Sequence, residues 1–146
     1  MAPEWRGLLA AMLVALAAGC GAPLDDDQRL RDTIAEMEEA LESGSVSDFM
    51  DSVADDFLAD RAGLDRRALG LLVRRERLAR TNLSIQRLST EVEIVGGGRA
   101  RAVIRALATG GSGWLPDEGR IWRIETGWRL AGDDWRLVSA GWEPVL

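Results

Sequence analysis

From Asn82 onward the hydrophobic period of this chain drops to two and stays there. Leu88, Thr90, Val92 and Ile94 alternate with Arg87, Ser89, Glu91 and Glu93. Strict alternation makes a strand with one apolar and one polar face, because successive side chains point to opposite sides of the pleat. Gly96-Gly97-Gly98 then supplies a three-residue turn. Pairing Val95 with Arg99 across it sets Glu93 opposite Arg101. It also sets Ile94, Val92 and Leu88 opposite Ala100, Ala102 and Ala106. One face is then apolar and the other carries a cross-strand ion pair, so this register is self-consistent. After a loop from Thr109 to Asp117, a strand over about 119–130 places Trp122, Ile124, Trp128 and Leu130 on one face. Gly132-Asp133 turns the chain into a last strand. With Ala131 opposite Asp134, Leu130 meets Trp135 and Trp128 meets Leu137; on the other face Arg123 meets Trp142, a cation–π pairing.

The residues before Asn82 carry a helical period. Asp25, Asp26 and Asp27 offer an N-cap and complement the positive end of a helix dipole. Leu30, Ile34, Met37 and Leu41 follow at spacings of 4, 3 and 4, one apolar stripe that ends at Ser43-Gly44. Ser45 or Ser47 caps a second helix with Phe49, Val53 and Phe57 in one row, and Asp55 and Asp56 at its end. The segment 59–63 reads as a break or a short strand. Asp65 opens a third helix to about Arg80, with Leu64, Ala68, Leu71, Leu72, Leu78 and Ala79 inward and Arg66, Arg67, Arg74 and Arg77 pointing elsewhere. The order helix, helix, short strand, helix and four long antiparallel strands predicts an α+β fold, a curved sheet wrapped over helices. The Ala-rich strand beside the Trp-bearing strand is the small-to-large complement such curvature needs.

Four stretches carry a resemblance beyond this pattern. They are DDF (Asp55, Asp56, Phe57), AGLDRRALGLLVR (62–74), the EVEIVGGGRARAVI hairpin (91–104) and GRIWRIETGWRLAGDDWRLVSAGWE (119–143). Together they resemble the NTF2-like superfamily, the cone-shaped fold of SnoaL-like and ketosteroid-isomerase-like proteins, over about 26–145. Within it the chain is similar to bacterial members, often lipoproteins, that lack an assigned reaction. The resemblance implies a cone of three N-terminal helices packed in a curved sheet of four long strands, with a short strand besides. Enzymes of the superfamily use pocket carboxylates. The isomerase-like members pair an Asp base with a Tyr and a second acid, and this chain has no Tyr. The epoxide-hydrolase-like members use an Asp-Arg-Asp set, for which no matching motif is present. The outer sheet face is a common dimer surface in the superfamily, so a homodimer through that face is an expectation here.

Composition removes most catalytic vocabulary. The chain has no His, no Tyr, no Lys and a single Cys. After Cys20 it therefore holds no Ser-His-Asp or Cys-His mechanism, no Schiff base and no His/Cys zinc site. No cofactor and no metal are expected. Residues 20–60 hold 13 acids and 2 arginines, and residues 61–146 hold 15 arginines and 10 acids. The two halves are expected to neutralise each other on folding, and a net charge of −6 on an exported chain argues against nucleic acid.

Candidate site residues remain. Asp55 or Asp56 would be a general base if it pointed into the cone, since burial raises a carboxyl pKa; adjacent solvated acids at a helix end are the commoner arrangement. Asp60 and Arg61 have the same standing. Trp114, in the loop TGGSGWLPD, either gates the cone mouth and grips a ligand or partner, or folds back to plug the core. Trp122, Trp128 and Trp135 line a ligand cavity or, more commonly for aromatic rows, form plain core. Arg123, with Arg87, Arg101, Arg105 and Arg129, faces an anion or partner, or pairs with Glu91, Glu93 and Glu125.

The amino-terminal segment gives the address. Leu8 to Ala18 is an uninterrupted apolar stretch of 11 residues, the length of a secretory signal core and too short to span a bilayer. Ala17, Ala18 and Gly19 precede Cys20, which resembles the bacterial lipobox, although that pattern prefers Leu where Ala17 stands. The implied division is a signal peptide over 1–19, a lipidated tether over 20–25 and a domain over 26–146. Gly21, in place of Asp, favours the outer membrane, facing the periplasm. The expected function is a non-enzymatic, lipid-anchored binding or scaffold domain, with an unknown envelope protein or a small apolar ligand as partner. The alternative is a small-molecule-binding protein, or an Asp-dependent lyase, hydrolase or isomerase using the cone. Replacing Cys20 with Ser is expected to block lipoprotein processing. Fractionation and gel mobility check this: a Cys20→Ser chain that still matures and still sediments with the outer membrane contradicts it.

Overall fold

The computed structural model describes residues 25–80, 82–110 and 119–145. Cys20 and Trp114 therefore lie outside the described residues. Helix α1 (Asp26–Ser43) starts where Asp25 Oδ1 accepts from the Gln28 backbone N–H at 2.7 Å. It stops at Gly44, whose φ of +83° lets its N–H turn back to the Ala40 and Leu41 carbonyls. Its buried face is Leu30, Ile34, Met37 and Ala40, with Leu41 half-buried beside them. Ser45 caps α2 (Val46–Asp51) by accepting from Asp48 N–H.

Helix α2 is shorter than its apolar row suggests. Phe49, Val53 and Phe57 are all buried, but the helix ends at Asp51. The sheet takes over the backbone there. Leu137 N–H donates to the Ser52 carbonyl at 2.8 Å, and Ala54 N–H donates to the Leu137 carbonyl at 2.9 Å. Val53 thereby forms a parallel bridge on the edge of the last strand. Asp55 and Asp56 consequently sit in a turn beyond the helix, not at its end.

The break after Phe57 is a small hairpin of β1 (Leu58–Ala59) and β2 (Leu64–Asp65), and Asp65 caps α3 (Arg66–Ala79) through Ala68 N–H at 2.8 Å. The face α3 buries differs from the expected stripe. Leu69 is buried and Val73 packs on the core, while Leu71 is 57% and Leu78 83% exposed. Two arginines expected outside turn inward. Arg66 donates to the Met50 and Val53 carbonyls at 3.1 and 3.3 Å, capping the end of α2. A Cβ on Gly44 would lie 2.9 Å from the Arg77 guanidinium, which places that cation against the negative end of α1.

Four long strands make one antiparallel sheet in the order β3-β4-β5-β6: β3 (Ser84–Gly96), β4 (Arg99–Thr109), β5 (Arg120–Ala131) and β6 (Asp134–Val145). Glu93 faces Arg101, Val92 faces Ala102 and Ile94 faces Ala100, as the alternation requires. Trp128 faces Leu137 and Leu130 faces Trp135. Three irregularities shift other pairs. Leu88 is an extra residue, so Arg87 faces Ala106 and Leu88 is 48% exposed. Val95 is another, so Gly96, not Val95, pairs with Arg99; the turn is the two residues Gly97 and Gly98, with φ of +62° and +71°. A third shift between Gly127 and Trp128 leaves Val138 unpaired and moves Trp142 opposite Ile124, on the inner face. Arg123 therefore faces Glu143, not Trp142, and the ring that meets a cation is Trp122, 5.9 Å beneath Arg120. Extra residues of this kind bend and twist the strand that carries them, and they close the sheet around the helices.

The core fills the concave side. Ala100, Ala102 and Ala106 of β4 are nearly inaccessible, and beside them on β5 Trp128 is 2% exposed. Its indole Nε1–H donates to Thr126 Oγ1 at 2.7 Å, and that hydroxyl donates to the Ala102 carbonyl at 3.0 Å. Trp135 closes the other side, its Nε1–H donating to the Asp26 carbonyl at 3.1 Å. Acids of the first half meet arginines of the second: Glu38 pairs with Arg87 under α1, and on the exterior Asp56 pairs with Arg129 and Asp55 with Arg66. Trp128→Ala is expected to cost about 3–5 kcal/mol, the range for truncating a buried aromatic side chain. Urea unfolding measures it, and a loss below about 1 kcal/mol would mean that Trp128 packs against little.

A candidate binding cavity inside the cone

The helices and the sheet do not close completely. Between α1 and the concave face lies a cavity of about 190 Å³. Helix α1 contributes Ile34, Met37, Glu38 and Leu41, α2 contributes Phe49 and α3 contributes Leu69. The sheet contributes Ile85, Ile104, Ala106, Ile124, Thr126, Trp128, Leu137, Ala140 and Trp142. The wall is aliphatic and aromatic apart from Glu38 and Thr126, and the Thr126 hydroxyl is already engaged on both sides.

Glu38 is the ionisable group of this wall. Its side chain is 21% exposed, and one carboxylate oxygen, Oε2, lies 3.7 Å from Arg87 Nε. The other oxygen, Oε1, is buried with no hydrogen-bond partner. Burial pushes its pKa above the usual carboxylate range; the Arg87 charge opposes this and the nearby Glu42 charge adds to it. Glu42 itself is anchored, its Oε1 accepting from the Ile85 N–H at 2.8 Å. The sequence carries one signal for Glu38 that the apolar stripe does not include. It stands four residues after Ile34, so it shares the ridge along which α1 meets the sheet.

The other candidate residues lie elsewhere. Asp56 is on the exposed turn, held by Arg129 through two hydrogen bonds of 2.7 and 2.9 Å, which keep its pKa below the usual range. Asp55 is exposed, 3.8 Å from Arg66. Neither lines the cone. Trp122 is half-buried on the inner face, between Ala106 and Pro144, and does not line the cavity. Trp128 does, and so does Trp142, which the sequence pairing places outside. Arg123 lies on the convex face in an open groove of about 590 Å³, together with Asp60, Arg61, Arg99, Arg101, Glu125 and Glu143. It hydrogen-bonds Glu125 and lies 3.8 Å from Glu143, so charges of both signs alternate along that groove. Gly127 and Ser139 meet in its floor, where a Cβ on Gly127 would collide with the Ser139 hydroxyl. Among the described residues no group of three acids is placed to hold a metal ion, and no helix is long and apolar enough to cross a membrane.

The overall fold is shared with solved structures. The chain superposes with a TM-score of 0.69 on a "putative dehydratase from the NTF2-like family" of Streptomyces avermitilis, at 18% identity over 83% of this chain and 96% of that one. It superposes with a TM-score of 0.68 on an NTF2-like protein of unknown function from Pseudomonas putida KT2440, at 17% identity over 83% and 89% of the two chains. The fold is NTF2-like. A third similar structure, Bd1075 of Bdellovibrio bacteriovorus, matches with a TM-score of 0.68 at 10% identity over 82% of this chain; the chain spans only 40% of that protein's length. No protein-family model and no curated protein matches the sequence. The NTF2-like cone is thus established by shape, and the chemistry inside it has to be read from this chain's own side chains.

The upward pKa of Glu38 fixes the sign of a pH effect. The folded state holds the proton to higher pH than the unfolded chain does, so Glu38 favours folding when protonated. That contribution is lost as pH rises from the ordinary glutamate range through Glu38's raised value. Glu38→Gln is therefore expected to gain stability relative to wild type across that window and to keep the gain above it. Urea unfolding of both proteins from pH 4 to pH 8 measures the difference; a gain that shrinks with rising pH would reverse the assignment of burial as the main cause.

Proposed function

We propose that this NTF2-like chain is a lipid-anchored envelope protein that binds a small apolar molecule inside its cone and does not transform it. The observation that carries this reading is the cavity wall. It is aliphatic and aromatic apart from Glu38 and the committed hydroxyl of Thr126, while Asp55 and Asp56 are paired with arginines on the exterior. At about 190 Å³ the cavity falls below the roughly 300–1,000 Å³ of drug-sized pockets, which limits the occupant to a small molecule. An apolar cavity of this kind has a ready driving force, since its lining forfeits dispersion contacts that an apolar guest restores. The anchor rests on Cys20 and the apolar segment before it. Four residues, Gly21 to Leu24, would then separate the lipidated cysteine from the Asp25 cap and hold the cone close to the membrane.

One observation favours a second reading, acid–base catalysis in the same cavity. Glu38 has the raised pKa that a general acid requires, and one structurally similar protein is described as a dehydratase. Such chemistry also needs a group to activate the other end of the substrate, and the remaining wall is apolar except for Thr126, whose hydroxyl is already engaged on both sides. Binding is therefore the reading the geometry supports better.

Toluene is a suitable probe of the cavity. Wild type is expected to take it up, with perturbation of the Trp128 and Trp142 indole signals, since both rings line the space. Ala106→Leu should fill the cavity and abolish uptake. The added side chain enters space already present, so unfolding should show less than the roughly 1–3 kcal/mol of ordinary overpacking. Uptake that persists in Ala106→Leu, or no uptake by wild type, would remove the binding function.

A further inference from the structure

Helix α3 presents apolar and cationic side chains together on its outer side. Inward it offers Leu69, Val73 and Gly70, the last against the Met50 side chain. Outward it offers Arg67, Leu71, Arg74, Arg75 and Leu78, all exposed. Arg67 precedes Leu71 by four residues, Arg74 and Arg75 follow it by three and four, and Leu78 by seven, so the five share one ridge. Leu78 is 83% exposed, more than any other large hydrophobic side chain among the described residues. Arg67 and Arg74 have no ion pair among the described residues, and Arg75 reaches only Glu76, at 3.5 Å on the surface. Charge is segregated between the helices: α3 carries five arginines and one acid, whereas α1 carries seven acids and two arginines. In a chain of net charge −6 this is a localised positive ridge with leucines set into it.

Resting on the Cys20 anchor of the reading above, we propose that this ridge of α3 lies on an anionic lipid surface. Leu71 and Leu78 enter the headgroup boundary, and Arg67, Arg74 and Arg75 pair with lipid phosphates. The leucines gain by leaving water, while the arginines keep their charge at the interface and lay their stems over apolar surface. Each cation near an anionic bilayer adds attraction. The acids of α1 are repelled by the same surface and so set the orientation. Connectivity agrees with this placement. Helix α1 begins where Trp135 donates to the Asp26 carbonyl. Helix α3 begins where Arg66 donates to Val53, which bridges Leu137, two residues further along β6. Both helices run from there toward Gly44, against which Arg77 lies. The five steps from Cys20 to Asp25 span at most about 18 Å, so the anchor would hold the chain at the end where α3 starts.

The test places the full chain on lipid nanodiscs that carry a paramagnetic headgroup. The methyl signals of Leu71 and Leu78 are compared with those of Leu88, which is 48% exposed on β3. On discs of phosphatidylcholine mixed with phosphatidylglycerol, Leu71 and Leu78 are expected to broaden more than Leu88. The excess should fall severalfold on phosphatidylcholine alone, or at about 1 M salt, where the screening length shrinks to about 3 Å. Arg67→Gln, Arg74→Gln and Arg75→Gln together should lower the docked-to-free ratio at least about tenfold, with an unchanged Tm because all three side chains are exposed. Equal broadening of the three leucines on anionic discs, or an excess that survives the triple substitution, would overturn the proposal. So would leucine signals that ignore the discs and shift on addition of poly-glutamate, which would make the ridge a face for acidic proteins. Retention on the discs at high salt reports the anchor separately. A chain that salt releases, yet that shows the excess broadening at low salt, would overturn the anchor and keep the docking.

Discussion

The methyl side chains of β4 set the geometry of everything around them. Ala100, Ala102 and Ala106 give the centre of the concave sheet almost no side-chain height. A sheet carrying larger residues there would hold α1 further away. With alanines, the helix row of Leu30, Ile34 and Met37 and the indole of Trp128 descend into the hollow and are buried almost completely. Interiors are packed to crystal density, so volume missing on one strand has to be supplied from its neighbours. Trp128, directly across from Ala100, supplies much of it, and its N–H is satisfied through Thr126 within the same face. Around Ala106 the supply runs short, and the residual space is the cavity.

The cavity joins two physical regimes. Its wall favours apolar contents, yet a carboxylate is anchored in it by only one good electrostatic partner. Arg87 offsets part of the desolvation of Glu38, but at 3.7 Å it does not form a short hydrogen bond, and burial remains the larger influence on the proton. A lone, half-satisfied carboxylate beside an apolar hollow is a poor contributor to stability. The exposed pairs Asp56–Arg129 and Arg123–Glu125 differ from it, because solvent screens them and both partners are already satisfied.

Most of the architecture is legible from periodicity. The caps at Asp25, Ser45 and Asp65, the stop at Gly44, the hairpin around Gly97 and the pairings of Glu93, Val92 and Trp128 all stand where local chemistry puts them. The misplacements in the sheet share a cause. Leu88, Val95 and Val138 are each one residue too many for their ladder, and an extra residue leaves the alternation on either side looking normal. Counting straight through Val138 reverses the face of every later residue in β6, and alternation alone therefore puts Trp142 on the outside. Spacing also overextends the second helix, because Val53 and Phe57 keep a helical interval even though the edge of β6 captures their backbone. The third helix turns a different face inward from the one its leucines suggest. Leu71 and Leu78 stay exposed, while Arg66 and Arg77 find carbonyls and a helix end to turn toward.

The sequence by itself determined the α+β order, the helix starts at their caps, the small-to-large complement of β4 and β5, and the catalytic groups the chain lacks. Each of these depends on residues close together in the chain or on composition alone, so nothing distant could change them. The tertiary structure decided where the bulges fall, how far α1 descends, and that the carboxylate beside the cavity is Glu38 rather than Asp55 or Asp56. Those outcomes depend on which surfaces meet. A carboxylate four residues from Ile34 is one more surface acid until the sheet arrives opposite it with Arg87, and only that approach buries its oxygen.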